Sequence, residues 1–520
     1  MFGMKLRDTN RRRLSAFVAA AGFLAAAQAS ADVVADWNEI AVKATKGFNG
    51  STGTGVALDS NLSSRIHAAQ GRAVFDAANA VLHFSRGSYA YAGSQSGSAE
   101  AAVAQAAHDV LLGLLPAPAS DPAADARWTQ TRDWLDASLQ STLQGLGVAS
   151  SDGGVVAGQA AAAAVLAARK LDNAAPVTTC GAALAPTVNP GIGLWRQSNA
   201  GAVAVDPATG APTGFDANGA VIQGRAGIDL NWRDVTPFSL TSAQRAWLVG
   251  HLPLPPAVGS PEYDAELDFV RAHGGDSAHP GQRTDDQAAQ ALFYKQDAEI
   301  FVFEAARTAS QARNLSLAQN ARLFALLANA VADARISAFA SKYEQKYWRP
   351  ITALNADTDG TVTNGYADWH PLAATPSHPS NTSGHSATGA AAFEVLRAFF
   401  GSDAIVPGGT PATLTSLPWL VGTNSGTGNV TTRAVVTFTQ AQLENGASRI
   451  YLGVHYGYDN YQGQLLGLEV ADAILTDSSD PAATGVRIRQ SPASLVNLRR
   501  TLLQRVDLYG FFGLAKGSQD

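Results

Sequence analysis

The chain is 520 residues long, 46% apolar and 15% charged, with a formal net charge of −6. That length allows a large buried core, and the sparse, slightly acidic charge argues against nucleic acid as a partner. Cys180 is the single cysteine, which excludes an intrachain disulfide.

Residues 1–31 read as a secretory signal peptide. Lys5, Arg7, Arg11, Arg12 and Arg13 outweigh Asp8, and the apolar stretch from Leu14 to Ala27 is too short to span a bilayer. Ala29-Ser30-Ala31 then offers a small-x-small cleavage site. Arg11-Arg12-Arg13-Leu14 fits twin-arginine export, and an ordinary Sec leader fits equally well. A periplasmic or secreted product is expected, and no later segment reads as a membrane span. Both methionines, Met1 and Met4, lie in the leader, so the mature chain would carry no thioether and one thiol. Those are the side chains that strong oxidants consume most readily. Adaptation to an oxidant made by the protein and drift in an Ala- and Gly-rich composition both account for this.

Residues 32–335 read as an N-terminal helical region. Ile66, Val74, Phe75, Ala78, Val81 and Leu82 recur at helical spacing, and further helices are expected over 98–115, 127–146 and 158–171. His67, His83 and His108 lie inside these patterns and are assigned structural roles. Residues 172–262 are rich in Pro, Gly and Asn and read as a loop-rich insert, with a short hairpin near 203–222. Ser260 caps a helix over 263–273; a long run over 287–309 and another over 316–347 follow. Residues 336–520 read as the catalytic region, closing with a helix over 492–509 and packing with the preceding region as one large domain.

Three short clusters stand out in that last region. Lys342 and Arg349 are seven residues apart, two helical turns, so on one continuous helix they share a face; Pro350 is expected to stop that helix. Ser383-Gly384-His385 opens an apolar helix, where free N–H groups and the helix dipole attract an anion and glycine permits close approach. Ser448-Arg449 is followed by His455 and Asp459, with Gly453 offering a break between Arg449 and His455. The i, i+4 spacing lets the Asp459 carboxylate orient the His455 imidazole. Taken singly, the first cluster also reads as a solvated basic face, the second as a serine cap, and the third as a core histidine with a surface aspartate. Together they supply cations, a hydroxyl, a backbone N–H and two imidazoles, the parts needed to hold a tetrahedral oxyanion.

In this order the clusters resemble the vanadium-dependent haloperoxidase and type 2 phosphatidic acid phosphatase superfamily. Its signature is Lys-x6-Arg-Pro, Pro-Ser-Gly-His and Ser-Arg-x5-His-x3-Asp. The first and third blocks match completely; in the second, Thr382 stands where the family usually has proline. The N-terminal half, starting VVADWNEIAV, is similar more loosely to bacterial haloperoxidase-type members.

The resemblance implies an all-α fold of helical bundles with long irregular loops. It implies vanadate as cofactor, held by Lys342, Arg349, Ser383, Gly384 and Arg449, with His455 bonded to vanadium, His385 as acid/base and Asp459 orienting His455. Lys342 would polarise the bound peroxide oxygen, making Lys342, His385, His455 and Asp459 the catalytic set. Phe339, Trp348 and His378 are the candidates for a halide site, and a His at position 378 resembles bromoperoxidases. The implied reaction oxidises bromide or chloride with hydrogen peroxide to hypohalous acid, which can pass to a small organic acceptor. The alternative is a secreted acid phosphatase in which His455 attacks phosphorus in the same pocket. A non-enzymatic oxyanion-binding protein is a third reading, one that would not need His385 or Asp459.

Overall fold

The computed structural model describes residues 32–484 apart from 54, 56, 116–121, 175–191, 196–228, 356–365, 367 and 421–429. The expected signal peptide, Cys180, the hairpin near 203–222 and the helix over 492–509 lie outside the described residues.

Helices begin where short polar side chains can accept their free N–H groups. Asp32 caps α1 (Val33–Thr45), Asp59 caps α2 (Ser60–Leu82), Ser98 caps α3 (Ala99–Leu114) and Asp152 caps α5 (Gly153–Ala168). Between the last two lies α4 (Pro122–Leu146). Three later helices open with a reciprocal Thr- or Ser-x-x-Gln box: α6 (Ser242–Gly250), α8 (Asp285–Phe293) and α10 (Leu317–Gln345). Helices α7 (Pro261–His273) and α9 (Ala298–Gln311) sit among them. The catalytic half adds α11 (Pro350–Asn355), α12 (Gly384–Phe400), α13 (Phe438–Tyr451) and α14 (Gly457–Thr476). A single antiparallel pair among the described residues, β1 (Ala412–Thr415) with β2 (Thr432–Val435), interrupts an otherwise helical fold.

The core is organised on α10, about 43 Å of helix by its rise per residue. It packs on α2 from the N-terminal half and on α12 from the catalytic half. One apolar cluster accordingly runs without interruption from Val33 to Ala483, so both halves share a core. Small residues set the closeness of the packing. A Cβ on Gly467 of α14 would stand 2.2 Å from the Ala387 carbonyl oxygen of α12, and one on Gly158 of α5 would stand 2.6 Å from that of Ala102 on α3. By length and composition α10 resembles a membrane span, which the sequence patterning did not single out. Its apolar window is 94% buried by protein, as for a core helix.

Two boundaries differ from expectation in ways that shape the site. The run over 287–309 is two helices, broken at Tyr294–Asp297, and the break brings the half-buried Gln296 to His385 and Asp297 to Lys46. Helix α10 ends at Lys346, a left-handed C-cap (φ 50°), so Arg349 lies beyond it, and Pro350 opens α11 instead of stopping α10.

Candidate active site

The three clusters converge. Lys342, in the last turn of α10, is fully buried and donates to the carbonyls of Pro379 (2.9 Å) and Ser380 (2.8 Å) in the loop before α12. It is therefore not part of a solvated basic face. Arg349 is buried in the link after α10 and fans its fork across three partners. Nε donates to the His378 carbonyl (3.0 Å), Nη1 to the Val454 carbonyl (2.6 Å) and to His455 Nε2 (3.0 Å), and Nη2 to His378 Nδ1 (2.9 Å).

These contacts fix tautomers. A guanidinium cannot accept, so His455 Nε2 is the lone-pair nitrogen, whereas His378 Nδ1 faces both the Arg349 fork (2.9 Å) and the Pro379 carbonyl (3.1 Å). His455 Nδ1–H donates to Asp459 Oδ2 at 2.9 Å, and that oxygen also accepts from Ser380 Oγ (2.6 Å) and the Tyr456 N–H (3.2 Å). Asp459 is fully buried, so it is no surface aspartate. His385 donates from Nε2 to the Gln296 carbonyl at 3.1 Å, which leaves Nδ1 as its basic nitrogen.

Ser383 is the N-cap of α12, accepting from the Ser386 N–H and hydroxyl. Gly384 is the first helical residue. The space a Cβ would occupy there is open except for Arg335 Nη1 at 4.0 Å. Thr382, the departure from the family motif, is anchored by its hydroxyl to Ser341 Oγ of α10 at 3.0 Å. Ser448 donates to the Asn445 carbonyl within α13, so its hydroxyl is spent locally. The left-handed Gly453 (φ 77°) turns the chain between Arg449 on α13 and His455 in the link to α14. Arg449 is 5% exposed, and its Nε and Nη1 have no partner.

The electrostatics point one way. Burial, then the Arg349 charge, pushes the Lys342 ammonium well below its usual range. Burial likewise takes Arg349 down to about 9 and Arg449 down to about 10. His378, His385 and His455 are all held neutral, first by burial and then by the surrounding cations. Among the described residues no cluster of three or more His, Cys, Asp or Glu is placed to hold a cationic metal. What the pocket is short of is negative charge. A small oxyanion would satisfy the unpartnered N–H groups of Arg449 and reverse the penalty on each cation. The residues present therefore fit vanadate.

Of the halide candidates, Phe339 and His378 come together, with ring centroids 5.2 Å apart. Trp348 instead stacks on Tyr263 in a separate apolar cluster with Trp369 and Tyr456. His67 and His108 have structural partners, Thr45 and the carboxylates of Asp109 and Asp136, and His83 is the left-handed C-cap of α2. Motif spacing did not point to Arg335, Gln296 or Ser380. For Gln296, the signal was an aspartate just ahead of the apolar run AEIFVF, which marks a helix start.

An α-helical bundle carrying a buried cationic cradle at a helix N-terminus, with an oriented imidazole beneath it, defines an oxyanion-binding protein. The family description "VCPO second helical-bundle domain" matches residues 322–482. Vanadium chloroperoxidase of Curvularia inaequalis is 28% identical over 247 residues, which are 38% of this chain and 40% of that protein. The chain thus aligns with less than half of that relative's length. A crystal structure titled as the first bacterial vanadium-dependent iodoperoxidase superposes with a TM-score of 0.61 at 20% identity, covering 84% of this chain and 94% of that one. A holo-type bacterial vanadium-dependent chloroperoxidase gives 0.58 at 16% identity, covering 84% and 98%. Residues 322–482 thus match a vanadium chloroperoxidase domain, and the fold of the chain is similar to that of bacterial vanadium haloperoxidases.

Proposed function

We propose that the protein is a vanadate-dependent haloperoxidase that converts hydrogen peroxide, a halide ion and a proton to hypohalous acid and water. The observation that carries this is the set of buried guanidinium N–H groups left without an acceptor on Arg449, beside Lys342, Arg349 and the α12 N-terminus. Lys342, Arg349, Arg449, the Ser383 hydroxyl and the Gly384 N–H would hold the oxyanion, and the His455 Nε2 lone pair would bond its central atom. Bound vanadate supplies Lewis-acid activation of peroxide without changing oxidation state.

The chain's own residues do the rest. Asp459 keeps the proton on His455 Nδ1, so Nε2 keeps its lone pair, which accepts from Arg349 Nη1 here and would turn to the oxyanion as that guanidinium does. His385, neutral and with its proton held at Nε2 by Gln296, has Nδ1 free to take a proton from entering peroxide and return it to the leaving oxygen. His378 would meet a halide beside the Phe339 ring, its own ring held by Arg349 and the Pro379 carbonyl. The methionine-free sequence after residue 31 suits a protein that releases an oxidant. The leader-like composition of residues 1–31 supports work in the periplasm or outside the cell.

The same His455 Nε2 lone pair favours one second reading, acid phosphatase action through a phosphohistidine. Bromination of a phenol-type dye by purified protein with vanadate and peroxide, run beside phosphate-ester hydrolysis without vanadate, separates them. Vanadate-dependent bromination is expected. Ester turnover alone would transfer the site to the phosphatase reading.

A further inference from the structure

Arg335 lies on α10 seven residues before Lys342, two helical turns away on the same face. It belongs to none of the three motif blocks. It is 7% exposed, and its guanidinium is held from the far side: Nε donates to Asn61 Oδ1 at 2.8 Å, from the first turn of α2. Asn61 is itself oriented by donating to Asp229 Oδ2 at 2.8 Å. Phe339 lies under the fork, 5.8 Å from Cζ to ring centroid.

With Nε taken, Nη1 is buried and has no partner. Its position is informative: apart from the backbone of α12 and the residues flanking Gly384, it is the one atom within 4 Å of where a Cβ on Gly384 would stand, at the α12 N-terminus. Asp297 and Asp229 act on this charge, but no carboxylate is hydrogen-bonded to Nη1. Asp297 is engaged by Lys46 at 2.6 Å and Asp229 by Asn61. A buried guanidinium N–H beside a helix N-terminus, with no acceptor of its own, is costly unless an anion completes it. Arg449 likewise has N–H groups without an acceptor, although Asp297 acts on its charge, and the two guanidinium groups act on one another and on His385.

We propose that Arg335 is a fourth cationic contact for the bound tetrahedral oxyanion, donating from Nη1 next to the Gly384 N–H. The inference rests on the oxyanion reading of the site and adds a binding residue that the motif blocks do not contain. It also gives α2 a part in the site, since Asn61 sets the angle at which the fork presents Nη1.

Binding of orthovanadate and of inorganic phosphate to the metal-free full-length protein, measured by titration calorimetry, tests this without turnover. Arg335→Gln is expected to weaken both about ten- to a hundredfold, the range for one charge-assisted hydrogen bond. Affinity should also fall less steeply with salt, because one fewer charge is engaged. The ligand-free melting temperature should hold or rise, since one of four mutually repelling charges is gone; a residue that only braces Asn61 would lower it. If that temperature falls, Arg335→Lys decides. Affinity recovered by the lysine supports the assignment, and affinity as low as in the glutamine variant overturns it. Unchanged oxyanion affinity in Arg335→Gln overturns it as well, including the case in which only the halide KM rises. Wild-type protein that binds neither vanadate nor phosphate would instead remove the oxyanion reading itself.

Discussion

Asp459 is the residue whose replacement gives the most informative result, because one carboxylate oxygen serves three buried donors. Oδ2 accepts from His455 Nδ1, Ser380 Oγ and the Tyr456 N–H at 2.6–3.2 Å, while Oδ1 has no partner. Asp459→Ala strands all three donors in a buried site. At about 1–3 kcal/mol for each stranded group, and with partial relaxation, the loss should be about 3–6 kcal/mol. That is a large share of a typical total of about 5–15 kcal/mol. Asp459→Asn keeps an acceptor in the Oδ2 position but puts an amide NH2 where Oδ1 now finds nothing, for a loss of about 1–3 kcal/mol. It also removes the negative charge behind His455, so oxyanion affinity should fall about 10- to 100-fold. Urea unfolding of the ligand-free protein and calorimetric titration with vanadate measure the two effects separately. An Asp459→Ala protein within about 0.5 kcal/mol of wild type, or an Asp459→Asn protein with undiminished affinity, would refute the role derived from these three bonds.

Two further expectations test the scaffold. Gly467→Ala puts a methyl 2.2 Å from the Ala387 carbonyl oxygen and 2.8 Å from Ala390 Cβ, both on α12. The overlap should outweigh the roughly 1 kcal/mol of helix propensity gained, for a net loss of about 1–3 kcal/mol and a lower melting temperature. A variant melting with wild type would mean that α12 and α14 are not packed this closely. His67 is buried against Thr45 and Phe303, and burial takes its imidazole down to about 3. Its folded pKa lies below the unfolded value near 6.5, so its contribution is intact above pH 6.5. It is lost as pH falls toward 3, because the unfolded chain takes up the proton first, at up to about 1.4 kcal/mol per pH unit. His67→Gln should flatten the pH dependence of the urea midpoint between pH 6.5 and 4.5 by about one proton's worth; an unchanged slope contradicts the assignment.

Much of the site was legible because its chemistry is written in short local spacings. Gly453 announced the turn between Arg449 and His455, and the serine before Gly384 announced the start of α12. The i, i+4 pair of His455 and Asp459 is also local. Periodicity was less informative where apolar patterning continues through a break. The run over 287–309 stays apolar across Tyr294–Asp297, yet the chain leaves the helix there and turns the Gln296 carbonyl to His385. Helix α10 shows the opposite limit. Almost every residue from Asn320 to Tyr343 is buried, so no polar face marks Arg335 as different from its neighbours. Its significance depends on Asn61, 274 residues away in sequence.

That distance bears on how the two halves divide the work. The region matched by the family description, 322–482, supplies the cations, the α12 N-terminus and the His455–Asp459 pair. The elements outside it determine how some of those groups present themselves. The Gln296 carbonyl selects the His385 tautomer, Asn61 fixes the Arg335 fork, and Lys46 from the end of α1 neutralises Asp297. Each is a polar contact packed against the shared apolar core, where an unmet donor or charge is costly, and that cost makes the arrangement specific. The N-terminal helices are therefore part of the pocket's wall. Without them His385 would lose the acceptor that holds its proton at Nε2, and so the preference that leaves Nδ1 free for proton transfer.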